Sequence, residues 1–438
     1  MKRKYLINKS YLAAKRLLPA RIKIIIKQLI KATLPPCVRN WLKWHLLFKP
    51  IMKKTSPSFH GQKNLPQGIN LIGTIRSGKG TGVHTRLIAQ ALSAVGIPFC
   101  VIDLTKHFDL PLCNFDHERK ISDKQIYNIN LITLEAASIE HALLALDREE
   151  TGKRFNIAYW AWELPYFPDI WQPVFAHFQE VWANSQFSAA SIAKKSPVPT
   201  LGVPLYADSL NSVIDNGRAY FNIPQNLFLF MVAYDCDSFV TRKNPQAAVH
   251  AFMKAFSPED RHVGLVLKLH SSENYQEHIN ELFGNLAAYQ NVYYVDKYLS
   301  DEEMRTLISL SDVFVSLHRA EGFGLIPLEA FALGTPVIST AWSGNMEYMN
   351  HKNAALVGYT LVTVNGQYIA TAMGESYVWA DPDIEEAADH MRRLVSDREW
   401  REELISNAKE TVETSFNAQV MGNTIRERLQ ILNLLNIK

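Results

Sequence analysis

From about residue 66 onward, short apolar runs alternate with longer segments in which apolar residues recur at a helical spacing. The runs at 69–73, 99–103 and 263–269 hold few polar side chains. Strands of this kind are typical of parallel sheets, because helices cover both faces of such sheets. The segments between the runs, such as 85–94, have the spacing of helices. The alternation therefore predicts an α/β fold of the doubly wound type.

The length of the chain predicts more than one domain. Its 438 residues exceed one typical domain, and the hydrophobic content of 47% is enough for large cores. The strand and helix pattern divides the body into two α/β halves, residues 61–215 and 216–415. An N-terminal extension, residues 1–60, precedes them, and a C-terminal helix over 416–438 follows.

The charge of the chain is distributed unevenly. It has 46 Lys and Arg residues and 43 Asp and Glu residues, and residues 1–60 contain 15 of the bases and none of the acids. This extension mixes cations with aliphatic residues and with Trp41 and Trp44, a composition that an interfacial helix uses on anionic lipid. The alternative is a helical appendage that packs on the body or on another subunit. Nucleic acid is not an expected partner, because no recognised nucleic-acid module accompanies the charge.

The location of the protein follows from similar arguments. The sequence contains no run of about 18 apolar residues, so it predicts no membrane-spanning helix. The four cysteines are scattered, which suits a reducing compartment and indicates neither a disulfide framework nor a zinc site. We therefore expect a cytoplasmic protein that lies peripherally on the inner face of the plasma membrane through residues 1–60.

The segment 318–340 carries the strongest chemical signal. Two carboxylates, Glu321 and Glu329, bracket a glycine-containing turn and the first turns of a short helix that follows an apolar strand. The free N–H groups and the dipole at a helix start favour an anionic ligand. Two acids beside an anion site favour a ligand that has both phosphate and hydroxyl groups, such as a nucleotide sugar.

This segment resembles the E-x7-E signature of the retaining, family-four glycosyltransferases, with Glu321 and Glu329 at the two acidic positions. The resemblance covers about 66–415 and implies the GT-B fold, in which two Rossmann-like doubly wound domains face a cleft. It also implies transfer of a sugar from a nucleotide sugar to a hydroxyl group with retention at the anomeric carbon. The alternative is an ordinary strand–turn–helix unit of another α/β enzyme.

The resemblance implies roles for several residues of the second half. Glu329 would bind the ribose hydroxyls, and Glu321 would act in catalysis by positioning the transferred sugar or its phosphate side. Arg242 and Lys243 would neutralise the leaving diphosphate, where fixed cations help most as the bond breaks. The N–H groups of the turn would face the donor, and these belong to Gly322, Phe323, Gly324 and Leu325.

Four further residues are expected near the donor. Gly80 and Gly82 belong to a glycine-rich loop that faces the cleft in the resembled family, and glycine lets a backbone approach a phosphate closely. Lys268 at a strand end and Ser343 on the cleft side are further donor contacts. The alternative for the glycine loop is a flexible surface loop.

Acceptor binding is expected at the end of the strand that begins at Phe155. Trp162 and Glu163 follow that strand, and strand ends of this kind meet the ligand side of such sheets. An aromatic ring suits a sugar face and a carboxylate suits sugar hydroxyls. The alternative is that the tryptophan belongs to the core and that Glu163 caps a helix.

No metal or cofactor is expected, and the nucleotide sugar enters as a substrate. Asp235-x-Asp237 and Asp381-x-Asp383 resemble a metal-binding pattern, but such pairs also arise by chance. Their position between a strand and a helix fits helix capping better.

The basic extension favours a glycan or lipid-linked acceptor at the membrane surface, and hence a role in bacterial surface polysaccharide synthesis. Two other functions remain open. A GT-B sugar-nucleotide epimerase would consume the nucleotide sugar without an acceptor. A non-catalytic homologue would keep the fold and bind a partner protein.

Overall fold

The computed structural model of the protein describes residues 64–110, 112–113, 117–207, 217–236, 239–270, 279–280, 283–364 and 377–436. The predicted membrane-binding extension, residues 1–60, and Asp237 of the first D-x-D pair lie outside these residues. No helix in the described ranges is both long and apolar enough to cross a bilayer.

The first domain is built on one parallel sheet. Its strands are β1 (Ile69–Gly73), β2 (Phe99–Asp103), β3 (Ile129–Ile132), β4 (Phe155–Trp160), β5 (Glu180–Ala183) and β6 (Thr200–Gly202). They lie in the order β2-β1-β3-β4-β5-β6, and every neighbouring pair is parallel. The helices are α1 (Gly80–Ala94), α2 (Ile139–Leu143), α3 (Arg148–Gly152) and α4 (Gln186–Ala193).

The second domain repeats this design. Its strands are β7 (Phe228–Asp235), β8 (Val263–His270), β9 (Val292–Asp296), β10 (Val313–Ser316), β11 (Val337–Thr340) and β12 (Ala355–Val357). They lie in the order β12-β11-β10-β7-β8-β9, again all parallel. The helices of this domain are α5 (Val240–Lys243), α6 (Pro245–Ala255), α7 (Asp301–Ser309), α8 (Leu325–Leu333), α9 (Ile384–Ser396) and α10 (Arg398–Ser415).

The apolar runs form strands of both sheets, as the sequence predicts. All five residues of β1 are buried, and seven of the eight residues of β8 are buried. A strand without an exposed face needs helices on both sides, and this requirement fixes the layered architecture. The prediction of two doubly wound α/β domains is confirmed.

Two elements connect the domains. An antiparallel hairpin, β13 (Tyr359–Thr363) and β14 (Val378–Pro382), belongs to the second half of the chain. Trp379 of β14 is buried in the same apolar cluster as Phe167 and Trp171 of the first domain. The hairpin therefore packs against the domain that carries the predicted acceptor residues.

The last helix, α11 (Ala418–Ile431), returns to the first domain. Arg428 forms an ion pair with the buried Glu180 at the start of β5. Gly422 faces the backbone of α1, where an added Cβ would lie 2.5 Å from the carbonyl oxygen of Ala91. Only a residue without a side chain permits this close packing of α11 on α1.

Candidate functional site

Three of the predicted residues meet between β10 and α8. The Glu321 carboxylate accepts a hydrogen bond of 2.5 Å from Lys243 Nζ and one of 3.2 Å from Arg242 Nη1. Both cations belong to α5, which follows β7, the strand beside β10 in the sheet. The carboxyl ends of adjacent parallel strands meet at one edge of a sheet, and this geometry brings the three side chains together.

Glu321 is ionised at neutral pH. Burial would raise the pKa of its carboxyl, but the charges of Lys243 and Arg242 outweigh burial and lower the pKa to about 2. Lys243 and Arg242 carry one more charge than Glu321, but Glu163 lies 3.8 Å from Arg242 and offsets that excess. The two fixed cations can still offer charge-assisted hydrogen bonds to an anionic ligand.

Arg242 links this cluster to the first domain. The residue is buried, and its Nη1 donates to the carbonyl oxygen of Ala320 at 2.8 Å. Its Nη2 lies 3.8 Å from Oε1 of Glu163, at the end of β4. The predicted acceptor carboxylate and the predicted diphosphate cation therefore face each other across the domains.

The backbone of Glu321 is held by the loop after β11. Its N–H donates to Ser343 Oγ at 2.8 Å, and its carbonyl accepts the Gly344 N–H at 2.9 Å. Ser343 has a φ of 80°, a conformation that favours glycine. The hydroxyl of Ser343, a predicted donor contact, thus orients the turn that carries Glu321.

His318 is a residue that the sequence reasoning missed. It is buried, and its Nε2 lies 3.1 Å from Asn345 Oδ1 and 3.2 Å from the carbonyl oxygen of Trp342. Since the carbonyl can only accept, the network assigns the proton to Nε2, and Nδ1 accepts from Ser316 at 3.1 Å. Burial lowers the pKa of the imidazole, which suits a neutral ring that holds the loop after β11. The position of His318 at the end of an apolar strand was the feature of the sequence that could have identified it.

The glycine turn shapes the start of α8. Gly324 has a φ of 84°, and a Cβ there would lie 2.9 Å from Tyr348 Oη. The side chain of Phe323 is buried against Tyr348 and Phe416, so this residue offers only its backbone to a ligand. Leu325 is the first residue of α8, where backbone N–H groups lack intrahelical acceptors.

Glu329 lies on α8, about two turns beyond Glu321, and is half-buried. Burial and the charge of Asp301 raise the pKa of its carboxyl to about 7, although Arg305 lowers it. The two predicted acids therefore differ in protonation at neutral pH, because two cations face Glu321 at hydrogen-bond distance.

The two glycines of the first domain lie in the first turn of α1. Around Gly80 there is open space, with no atom within 4 Å of an added Cβ. A Cβ at Gly82 would lie 2.0 Å from the carbonyl oxygen of Ser77, so this glycine is required by packing inside the loop itself. Gly78 faces the second domain, where a Cβ would come 3.4 Å from Tyr298 Oη.

Lys268 is buried near the end of β8. Its Nζ donates to the carbonyl oxygens of Leu269 at 2.5 Å and Lys297 at 2.9 Å. Burial lowers the pKa of the ammonium group. These bonds tie β8 to the loop after β9.

Trp162 departs from the acceptor prediction. The residue is 2% exposed, its ring packs edge to face on Phe167 and Trp171, and its indole N–H donates to the carbonyl oxygen of Tyr166 at 2.8 Å. A ring enclosed in this way presents no face to a sugar. The alternative that placed this tryptophan in the core is the one that the structure supports.

Glu135 is a second residue that the sequence reasoning missed. It follows β3, the neighbour of β4 in the sheet. Desolvation and then the charge of Glu163 raise the pKa of its carboxyl, while Arg242 and Lys79 lower it. The ends of β3 and β4 thus place two carboxylates on the first-domain side of the site. The strand before Glu135, β3, is short and gave no clear signal in the sequence.

No group of three or more His, Cys, Asp or Glu side chains within the described ranges is arranged to hold a metal ion. Asp383 caps α9 by accepting the N–H groups of Glu385 and Glu386, and Asp381 accepts from Arg319 at 2.7 Å. The second D-x-D pair is thus engaged in local structure. Metal independence stays a prediction.

Comparison with known proteins finds a sequence match that is confined to the second half of the chain. Residues 238–411 match the family model of the group 1 glycosyl transferases. An uncharacterized glycosyltransferase of Methanocaldococcus jannaschii is 24% identical over 179 residues, which are 41% of this chain and 40% of that protein. The match thus spans less than half the length of this curated relative.

Solved structures resemble both domains. Anabaena HepE, determined in complex with UDP and glucose, has a TM-score of 0.58 and 16% identity, and the match covers 83% of this chain and 100% of that one. Sucrose-phosphate synthase of Thermosynechococcus elongatus has a TM-score of 0.62 and 16% identity, with coverage of 84% and 99%. The similarity establishes the fold, and the expected GT-B architecture is confirmed.

Proposed function

We propose that the protein is a retaining, metal-independent glycosyltransferase that moves a sugar from a nucleotide sugar to a hydroxyl group. The observation that carries this proposal is the pairing of Arg242 and Lys243 with Glu321 at the start of α8. This cluster lies within the segment that matches the group 1 glycosyl transferases. UDP bound to the similarly folded HepE supports a nucleotide diphosphate as the ligand class.

The two cations suit the leaving diphosphate. Breaking the bond between the sugar and the phosphate adds negative charge to the phosphate, and fixed cations stabilise that charge without reorganising. The N–H groups of the turn 322–325 would add donors at the helix start. Glu321 keeps both cations in place and would contact the transferred sugar.

Glu329 would bind the ribose hydroxyls of the donor. A carboxylate accepts two hydroxyl donors, and the half-buried position of Glu329 on α8 limits competition from water. Its raised pKa makes this contact dependent on pH near neutrality. The open space around Gly80 supports an approach of the donor phosphate from the first domain, and we keep Lys268 as a further contact on the donor side.

The acceptor would bind on the first-domain side, where Glu163 faces Arg242. Its carboxylate would accept a hydrogen bond from the acceptor hydroxyl. Because the leaving phosphate can take the hydroxyl proton in a front-face attack, no separate general base is required. Retention at the anomeric carbon is part of the proposal and can be read from the product.

Calorimetry against UDP, GDP, ADP and TDP, with and without EDTA, tests the donor site. We expect one diphosphate to bind in both conditions and to bind on the order of 10-fold more weakly to Lys243→Met, which removes one charge-assisted contact. Lys254→Met is the matched control, since Lys254 is exposed on α6 and pairs with Glu385. Absence of binding to all four nucleotides would overturn the donor site, and interconversion of a nucleotide sugar without an acceptor would indicate an epimerase.

The acceptor class rests on the sequence of residues 1–60. The 15 cations and the absence of acids favour an anionic membrane surface, a lipid-linked acceptor and a role in bacterial surface polysaccharide synthesis. Flotation with anionic vesicles tests this part of the proposal. The full-length chain with Lys23, Lys27 and Lys31 changed to Gln should bind less, and more salt should weaken the unchanged protein.

The control for this experiment changes three exposed lysines of the body, Lys106, Lys124 and Lys352, to Gln. Equal vesicle binding by the two triple variants would show that the extension does not contact lipid. If the changes in the extension abolish binding of a partner protein and leave vesicle binding unchanged, the result would point to the non-catalytic alternative.

A further inference from the structure

The turn that carries Glu321 is also held from the other domain. Ser185, the residue before α4, donates a hydrogen bond of 2.5 Å from Oγ to the carbonyl oxygen of Gly322. Both residues are buried. A directed hydrogen bond in a buried interface is stronger than one exposed to water, and it fixes the orientation of the peptide that it holds.

The proton of Ser185 is committed to this contact. Its Oγ accepts the N–H of Ser188 at 3.1 Å, as expected of a helix cap, and the single hydroxyl proton is then available for Gly322. Ser188 Oγ lies 2.6 Å from the carbonyl oxygen of Trp162 and 3.3 Å from that of Gly322. Its proton therefore serves Trp162, and Ser185 provides the main bond to the turn.

Gly322 is closely packed from both domains. A Cβ on Gly322 would lie 3.3 Å from Asn184 Nδ2 in the first domain. From within the second domain, a Cβ on Gly344 would lie 2.0 Å from the carbonyl oxygen of Gly322. The peptide after Glu321 is thus enclosed between the start of α4 and the loop after β11.

A second set of contacts aligns the same surfaces. The Glu347 carboxylate accepts the N–H of Gln186, the first residue of α4, at 2.7 Å. The rings of Phe187 and Trp342 meet edge to face with centroids 5.8 Å apart. Together with Ser185, these contacts join the start of α4 to the turn that carries Glu321 and to the loop after β11 that holds this turn.

We infer that Ser185 is a positioning residue, which orients the Glu321 turn for the nucleotide sugar when the two domains are in contact. This inference rests on the proposed function for the identity of the ligand. The Gly322 carbonyl belongs to the residue next to Glu321, so a change at Ser185 moves the carboxylate that holds Arg242 and Lys243. The donor site is therefore complete only when the first domain contributes its hydroxyl.

Two substitutions separate positioning from helix capping. Ser185→Ala removes both the cap and the proton that Gly322 accepts. Ser185→Asp keeps an oxygen that accepts the Ser188 N–H, since Asp is a good cap, and its ionised form has no proton to donate, so this variant is measured at pH 8 or above. Ser191→Ala is the matched control, because Ser191 is buried on the same helix and its Oγ has no hydrogen-bond partner among the described residues.

The measurements are hydrogen exchange of the peptide 319–328 in the full-length, ligand-free protein and the affinity for the nucleotide found by calorimetry. We expect faster exchange and roughly five- to tenfold weaker binding in both Ser185 variants, as for loss of one buried hydrogen bond, with Ser191→Ala unchanged. Equilibrium unfolding shows whether Ser185→Asp remains folded.

Unchanged exchange in both Ser185 variants would overturn the inference, and so would faster exchange with unchanged affinity. If the unaltered protein binds none of the four nucleotides, the proposed function fails. In that case hydrogen exchange of the peptide 319–328 still decides whether Ser185 holds the turn. Failure of the proposed function and failure of the inference about Ser185 therefore remain distinguishable.

Discussion

The two domains each contain a strand, a glycine-rich turn and a helix, and they use the glycines differently. In the first domain, Gly82 makes room for the carbonyl oxygen of Ser77, and Arg86 donates to the same carbonyl at 2.8 Å. The loop between β1 and α1 is therefore shaped by contacts within the first domain, where the carbonyl oxygen of Arg76 also accepts the Cys113 N–H and the Arg76 N–H donates to Thr105 Oγ1. In the second domain, the turn before α8 is shaped by groups from elsewhere in the chain.

The difference lies in where the partners of each turn originate. Glu321 is held by two cations from α5 and by Ser343, while Gly322 is held by Ser185 of the other domain. A turn that is held within its own domain can serve as a scaffold. A turn assembled from three distant segments concentrates charge at one point, which is the requirement for recognising a diphosphate.

The largest effect should come from Arg242→Met. This change removes one of the two cations from a buried carboxylate, and breaking such a pair costs about 3 kcal/mol of unfolding free energy. We expect nucleotide binding to fall on the order of 100-fold as well, since the cation would face the diphosphate. Urea unfolding and calorimetry measure the two quantities.

The matched change in the first domain is Arg86→Met, which removes hydrogen bonds to the carbonyl oxygens of Ile75 and Ser77. It should cost about 1 kcal/mol and leave nucleotide binding nearly unchanged. Equal losses of binding in the two variants would show that both turns contribute charge to the site.

Gly82→Ala should be the next largest effect. The added Cβ would lie 2.0 Å from a backbone oxygen, which a rotamer change cannot relieve, so the loop itself must move. A loss of about 2 kcal/mol in unfolding free energy is expected, and thermal and urea unfolding measure it. A loss below about 0.5 kcal/mol, the range of neutral surface changes, would mean that the loop is not shaped by its own packing.

Glu329→Gln tests the carboxyl group on α8 through the pH dependence of the unfolding free energy. Its carboxyl has a pKa of about 7 in the folded protein against an ordinary value of 4.5. The folded state therefore holds this proton more tightly, and the resulting stability is present below pH 4.5 and lost as the pH rises through 7. At pH 8 the amide should raise the unfolding free energy by about 1–2 kcal/mol, less than the full shift because the residue is half-buried.

The same substitution should weaken nucleotide binding and remove its pH dependence between about 6 and 8, because only the ionised acid accepts both ribose hydroxyls. Glu410→Gln, at an exposed position on α10, is the control. Stronger nucleotide binding at pH 6 than at pH 8 in the unaltered protein would contradict the ribose contact.

Gly80→Ala should have the smallest effect on stability. Alanine at this helical position meets no atom within 4 Å and should raise the unfolding free energy by about 0.5–1 kcal/mol. If the donor phosphate approaches this backbone, nucleotide affinity should fall at the same time. Unchanged affinity would place the first glycine loop outside the donor site.

The fold was largely predictable because most strands of the two sheets are buried on both faces. The apolar runs at 69–73 and 99–103 coincide with β1 and β2. The predicted helix at 85–94 begins earlier, at Gly80, since packing of the loop supports glycines that are poor helix formers. The hairpin of β13 and β14 had no comparable signal, because β13 is mostly exposed.

The site was predictable in its residue types and less so in its contacts. Glu321, Arg242 and Lys243 follow strands that are neighbours in the sheet, so their proximity follows from the topology. Trp162 follows a strand in the same way, but an aromatic side chain gains more by entering an apolar cluster than by facing water. Position alone does not decide between these two outcomes.

The sequence by itself determined the two parallel sheets and the acid-bracketed glycine turn, because burial period and turn chemistry are local properties. The tertiary structure decided which groups hold that turn. Ser185 and Gly322 are 137 positions apart in the chain, and only the contact of the domains brings the hydroxyl to the carbonyl. The difference in pKa between Glu321 and Glu329 has the same origin, since burial acts to raise the pKa of both carboxyls and the cations of another segment outweigh it only at Glu321.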